Sequence, residues 1–135
     1  MLAILFFIFI LLAIFPTFDW RDHRGEFQIK CQIELASLGT ALDAYQSKYS
    51  VFPKGNAVEI VKALLGDNPK RIKFINIGAN NLSATGEFLD PWKTPFAIKF
   101  SPTNSFILSS AGKDKIWGSK DDIIFDSILN NFVKP

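Results

Sequence analysis

Residues 1–15 form an unbroken apolar run, and after Pro16, Thr17 and Phe18 the first charge is Asp19. As a helix, these 18 residues reach about 27 Å, just short of a hydrocarbon core of about 30 Å and within the range accepted for a spanning helix. A cleaved secretory signal carries a basic residue before its apolar run and small residues at the cut. Here no Lys or Arg precedes Leu2, and the exit from the run reads Phe15, Pro16, Thr17, Phe18, so a retained anchor is expected. Pro16 predicts a kink, because a membrane helix can recover the lost hydrogen bond through neighbours or local geometry. Asp19, Arg21, Asp22 and Arg24 nearly cancel, so the flanking charges do not set the orientation.

From Phe27 onward the apolar positions fall at Phe27, Cys31, Leu35, Leu38, Leu42, Tyr45 and Tyr49, in steps of four or three. That spacing predicts an amphipathic helix with one apolar stripe. No Pro lies between Thr17 and Val51, so anchor and stripe are expected to form one long helix, with Gly25 and Gly39 as weak points. It should stop near Ser50, since Pro53 biases Phe52 away from helical geometry. Asn56 and Glu59 then form a capping signature before Val58, Val61, Leu64 and Leu65, a short helix ending at Gly66.

Residues 67–87 show no clear period and contain Pro69, Gly78 and Gly86, which predicts a long irregular connection. Phe96, Ile98 and Phe100 alternate with Ala97 and Lys99. After the turn-rich Ser101, Pro102, Thr103 and Asn104 come Phe106, Ile107 and Leu108, a β-hairpin pattern. Ile123 to Phe125 could add one more strand. The predicted class is α+β: a long N-terminal α-helix packed on a small antiparallel β-sheet. It divides into an anchor half at 1–18 and a globular domain at 19–135.

Composition narrows the functions available. Fifteen basic and thirteen acidic side chains are interspersed, giving a formal charge of +2. No basic stripe extends beyond Lys70, Arg71 and Lys73, so a nucleic-acid role has little support. Cys31 is the single cysteine and reads as a small helix side chain. His23, between Asp22 and Arg24, reads as an exposed helix residue, and no nucleophile, metal or phosphate motif supports catalysis. Asp90 before Pro91 is read as turn chemistry, and Tyr45 and Tyr49 as core packing. No small-molecule substrate is implied.

The chemistry that remains lies at 109–122, where Asp114 can return against Asp121 and Asp122. Three carboxylates in one loop repel unless a cation sits among them, and calcium accepts six to eight oxygens, including free backbone carbonyls, in loose geometry. The spacing is not that of an EF-hand, and Lys113, Lys115 and Lys120 could pair with the acids instead, so composition alone favours a solvated loop.

Three blocks add a resemblance: LASLGTALDAYQSKYSVFP at 35–53, Asp90-Pro91-Trp92, and SAGKDKIWGSKDDI at 110–123. Their order and spacing resemble the major pseudopilins of type II secretion systems, within the type IV pilin-like family. The likeness covers most of the chain, and the last block is its most specific part.

The resemblance implies a non-catalytic, single-pass inner-membrane protein with its domain in the periplasm. It would polymerise through the apolar half of its helix into a homo-oligomeric filament with other pseudopilins. It further implies that the C-terminal loop binds Ca2+ through the side chains of Asp114, Asp121 and Asp122 and the carbonyls of Ala111 and Trp117, the metal organising the fold. Family precursors carry a basic leader, a cleavage site after Gly and an early Glu. Aligning on Tyr45 sets Met1 just after that Glu, so either these features lie upstream of Met1 or the chain is a divergent member neither processed nor polymerised in the usual way. The competing expectation is a membrane-tethered, calcium-stabilised binding module that stays monomeric.

Overall fold

A computed structural model describes residues 23–135. Helix α1 spans His23–Tyr49, with Glu26 in its first turn and Lys48 in its last, both complementary to the helix dipole. It ends as expected: Ser50 takes a left-handed φ of 62° and donates its N–H to the Gln46 carbonyl at 2.6 Å, and Pro53 forbids a restart. Cys31, Leu35, Leu38, Leu42 and Tyr45 of the predicted stripe are buried, joined by Ala41. Phe27 is the exception. It is 40% exposed, and its ring makes a T-shaped contact with Trp92 at a centroid distance of 6.2 Å.

Helix α2, Ala57–Leu64, begins with the expected capping box. The Asn56 side chain accepts from the Glu59 amide at 3.1 Å, and the Glu59 carboxylate accepts from the Asn56 amide at 2.7 Å. The helix buries Ile60, Val61 and Leu64. The connection that follows is irregular apart from a short 3-10 turn at Ala79–Asn81. Asn68 pins its start by accepting from the Tyr49 hydroxyl and the Ile72 amide while donating to the Ala63 and Ile72 carbonyls.

Strands β1 (Ala97–Ser101), β2 (Ser105–Ser110), β3 (Ile123–Asp126) and β4 (Asn131–Val133) form an antiparallel sheet in that order. The hairpin register sets Phe100 opposite Phe106 and Ile98 opposite Leu108. Strand β4 was not expected from the sequence. It pairs Phe132 with Phe125, and three residues are too few to show a period of two.

The sheet covers the stripe of α1. Phe106, Leu108, Ile123 and Phe125 are buried with Leu35, Leu38 and Leu42 in one core. Gly39, a weak point on helix propensity, marks the closest approach: a Cβ there would lie 3.2 Å from a ring carbon of Phe125 and 3.5 Å from one of Phe106. Strand β2 runs against the direction of α1, with Phe106 beside Gly39 and Ser110 close to Cys31. The chain therefore leaves β2 at the N-terminal end of α1.

Among the described residues no helix is long and apolar enough to cross a membrane. The 1–18 run, with its anchor, kink and orientation, lies outside them. Leu38 is fully buried, so Leu38→Ala should cost about 2–5 kcal/mol, read as a lower urea midpoint. A change under 1 kcal/mol, against that general range, would show that the helix–sheet seam is not the core.

Candidate metal-binding loop and the polar node beneath it

Residues 111–122 connect β2 to β3 at that N-terminal end. The loop is closed at its neck by Gly112, which has a φ of +68° and lies so near Asp121 that a Cβ would collide with the Asp121 carbonyl. Only glycine combines that backbone angle with that approach. Within the loop, Lys115 donates its amide to the Gly112 carbonyl at 3.3 Å and Asp122 to the Ser119 carbonyl at 3.2 Å.

The acids serve these turns. Asp114 Oδ1 accepts from the Ile116 amide at 3.0 Å, and that bond, then the Ser119 hydroxyl, holds the exposed Asp114 below the usual carboxylate range. Asp122 Oδ2 accepts from the Gly118 amide at 2.8 Å, and Asp121 donates its amide to the Ser119 hydroxyl oxygen at 3.1 Å. Ala111 is fully buried and Trp117 is 49% exposed.

The loop thus brings its two ends together and places Asp114 beside Ser119. Among the described residues, no three His, Cys, Asp or Glu side chains are grouped as a metal site. One acceptor is nevertheless left over: Asp122 Oδ1 is buried without a hydrogen-bond partner. Buried acceptors are almost always satisfied, so this oxygen suits a cation.

Beneath the neck is a node that the sequence did not reveal. The buried Ser110 hydroxyl donates to Asp90 Oδ2 at 2.6 Å and accepts from the Gly112 amide at 3.0 Å. Asp90 is 1% exposed, and its other oxygen accepts from the Trp92 and Thr94 amides, each at 2.9 Å. Turn chemistry before Pro91 was legible; burial against Ser110 was not, because it depends on where β2 ends.

Cys31 and Glu34 of α1 face this node. Burial pushes the Cys31 thiol up to about 12, with Ser110 opposing and the Asp90 and Glu34 charges adding, so the thiol stays protonated and inert. Glu34 Oε2 is buried without a partner, and its other oxygen lies 3.9 Å from Lys30 Nζ. Burial raises Glu34 above its ordinary 4.5, helped by Asp90 and opposed by Lys30 and Lys93.

Fold and loop together define a helix-borne α+β domain whose sheet leads into an acid-bearing loop at the start of the helix. No family model, curated protein or solved structure matches the chain.

Ser110→Ala leaves Asp90 Oδ2 and the Gly112 amide unpaired and should cost about 1–3 kcal/mol, measured by urea denaturation. Glu34 supplies a pH prediction. Its proton is held more tightly in the folded chain, so its stabilisation is complete below 4.5 and is lost as pH rises through the raised value. Glu34→Gln should therefore gain stability relative to the parent as pH rises from 4.5 toward neutrality. Parallel midpoint-versus-pH curves for the two proteins would count against that linkage.

Proposed function

We propose that this chain is a structural, non-catalytic subunit of a type II secretion pseudopilus or a related pilus-like filament. Segment 1–18 holds it in the inner membrane and packs against neighbouring copies, with the domain in the periplasm and other pseudopilins as further partners. The observation that carries the reading is the placement of parts. One long helix bears a small antiparallel sheet, and the loop richest in acids emerges at the helix end nearest the apolar segment.

The same reading gives the loop a calcium ion. Asp114, Asp121 and Asp122 would hold it with the carbonyls of Ala111 and Trp117, and the unpartnered Asp122 oxygen supports this assignment. Calcium takes backbone carbonyls readily, which is the part Ala111 and Trp117 would play beside the three carboxylates. The ion supplies charge neutralisation and ties the loop's acids together, and no reaction is assigned to it.

Saturating calcium should stabilise the domain, by about 2.7 kcal/mol at a hundredfold excess over Kd, and chelation should lower the Tm. Asp121→Ala should have the lower Tm without chelator, and a melt indifferent to calcium would remove the ion from the reading. Assembly is tested separately. The double substitution Ala3→Cys and Ala13→Cys, oxidised in membranes, should give a ladder of crosslinked oligomers. A clean monomer band would instead favour the tethered monomer.

A further inference from the structure

The tip of the 111–122 loop carries two consecutive exposed apolar side chains, Ile116 at 63% and Trp117 at 49% exposure. Exposed lysines flank them: Lys113 and Lys115 before, Lys120 after. Of the loop's acids, Asp114 lies exposed between Lys113 and Lys115 and accepts from the Ile116 amide, whereas Asp121 and Asp122 are half-buried at the neck, Asp122 accepting from the Gly118 amide. The protruding surface thus joins two apolar side chains to three exposed lysines and one exposed carboxylate, Asp114, an excess of positive charge at the tip. A second consecutive exposed apolar pair, Ile128 and Leu129, lies in the β3–β4 turn at the far end of the sheet. There the neighbours are Asp126, Asn130 and Asn131, with no lysine.

Position adds a second argument. Gln28 and Gln32 of α1 share an open groove of about 720 Å³ with Gly118, Ser119 and Asp122. Gln28 follows Phe18, the last residue of the apolar segment, by only ten positions. Ten residues span about 15 Å as a helix and no more than about 35 Å fully extended. The loop is held at the end of the domain that the apolar segment enters.

We propose that this tip docks on the surface of the anionic bilayer that segment 1–18 enters, with Trp117 and Ile116 seated among the headgroups and the three lysines facing lipid phosphates. Tryptophan favours that depth because its ring is apolar while its N–H stays wet. Lysine stems extend along apolar surface while their ammonium groups reach anionic lipid. The docking makes a second contact between domain and membrane and restricts rotation of the domain about α1. It rests on the reading of 1–18 as a membrane segment.

The test uses the whole chain in vesicles of phosphatidylethanolamine and phosphatidylglycerol with brominated acyl chains. Trp117 emission is taken as the difference between the parent and Trp117→Phe, and Trp20 emission from Trp20→Phe. Trp20 lies two residues beyond the apolar segment and so reports whether that segment has inserted. Docking is supported if Trp117 shifts to the blue and loses most of its intensity to the brominated lipid. The triple substitution Lys113→Gln, Lys115→Gln and Lys120→Gln, or replacement of the lipid by phosphatidylcholine, should restore that intensity.

Quenched Trp20 with unquenched Trp117 overturns the docking and leaves the anchor standing, whereas no quenching of either overturns both. A blue-shifted but unquenched Trp117 means that protein, not lipid, covers the tip, and overturns the docking. Quenching of Trp117 indifferent to phosphatidylglycerol and to the lysines overturns it as well.

Discussion

Everything in this domain depends on one sheet face finding one helix stripe. Four strands of three to six residues present one apolar face that needs a cover to leave water. Helix α1 has the converse problem, since its stripe of Cys31, Leu35, Leu38, Leu42 and Tyr45 needs a cover. The seam solves both, and Gly39 sets its depth by letting the Phe106 and Phe125 rings meet the helix backbone. A larger side chain at 39 would lift the sheet and loosen each pair above and below it.

That seam fixes the register from which the rest follows. Phe106 beside Gly39 sets Ser110 beside Cys31, and Ser110 then bridges Asp90 and the Gly112 amide. The neck of the loop and the turn at Asp90, twenty residues before Ser110, are joined through one hydroxyl. Glu34 stands beside this arrangement with an unpartnered oxygen. Asp90 is satisfied by two amides and a hydroxyl, whereas Glu34 has a lysine at 3.9 Å, and burial raises the Glu34 carboxyl above its ordinary value.

Local order was legible where it is written within a few residues. The stripe of α1, the Asn56–Glu59 box, and the hairpin around 101–104 all follow from short-range periodicity and turn chemistry. What escaped depends on tertiary placement. Strand β4 exists because Phe132 pairs with Phe125, not because of its own pattern. Phe27 shares the helical spacing yet stays exposed. Asp90 and Ser110 are ordinary polar residues until β2 ends beside the turn. In the loop the acids stood out by composition, but the oxygen left unpartnered, on Asp122, depends on which amides the turns consume.

The strands at the two margins of the sheet have a further consequence. β1 is bracketed by Pro95 and Pro102 and carries the exposed Lys99, while β4 has three residues and Pro135 follows two positions beyond it. Prolines, lysines and short length all discourage a foreign strand from extending the ladder. Crowded copies of this domain are therefore protected from fusing sheet to sheet into amyloid-like stacks. Any contact between such copies would then fall to side chains, which can be remade without unzipping a backbone.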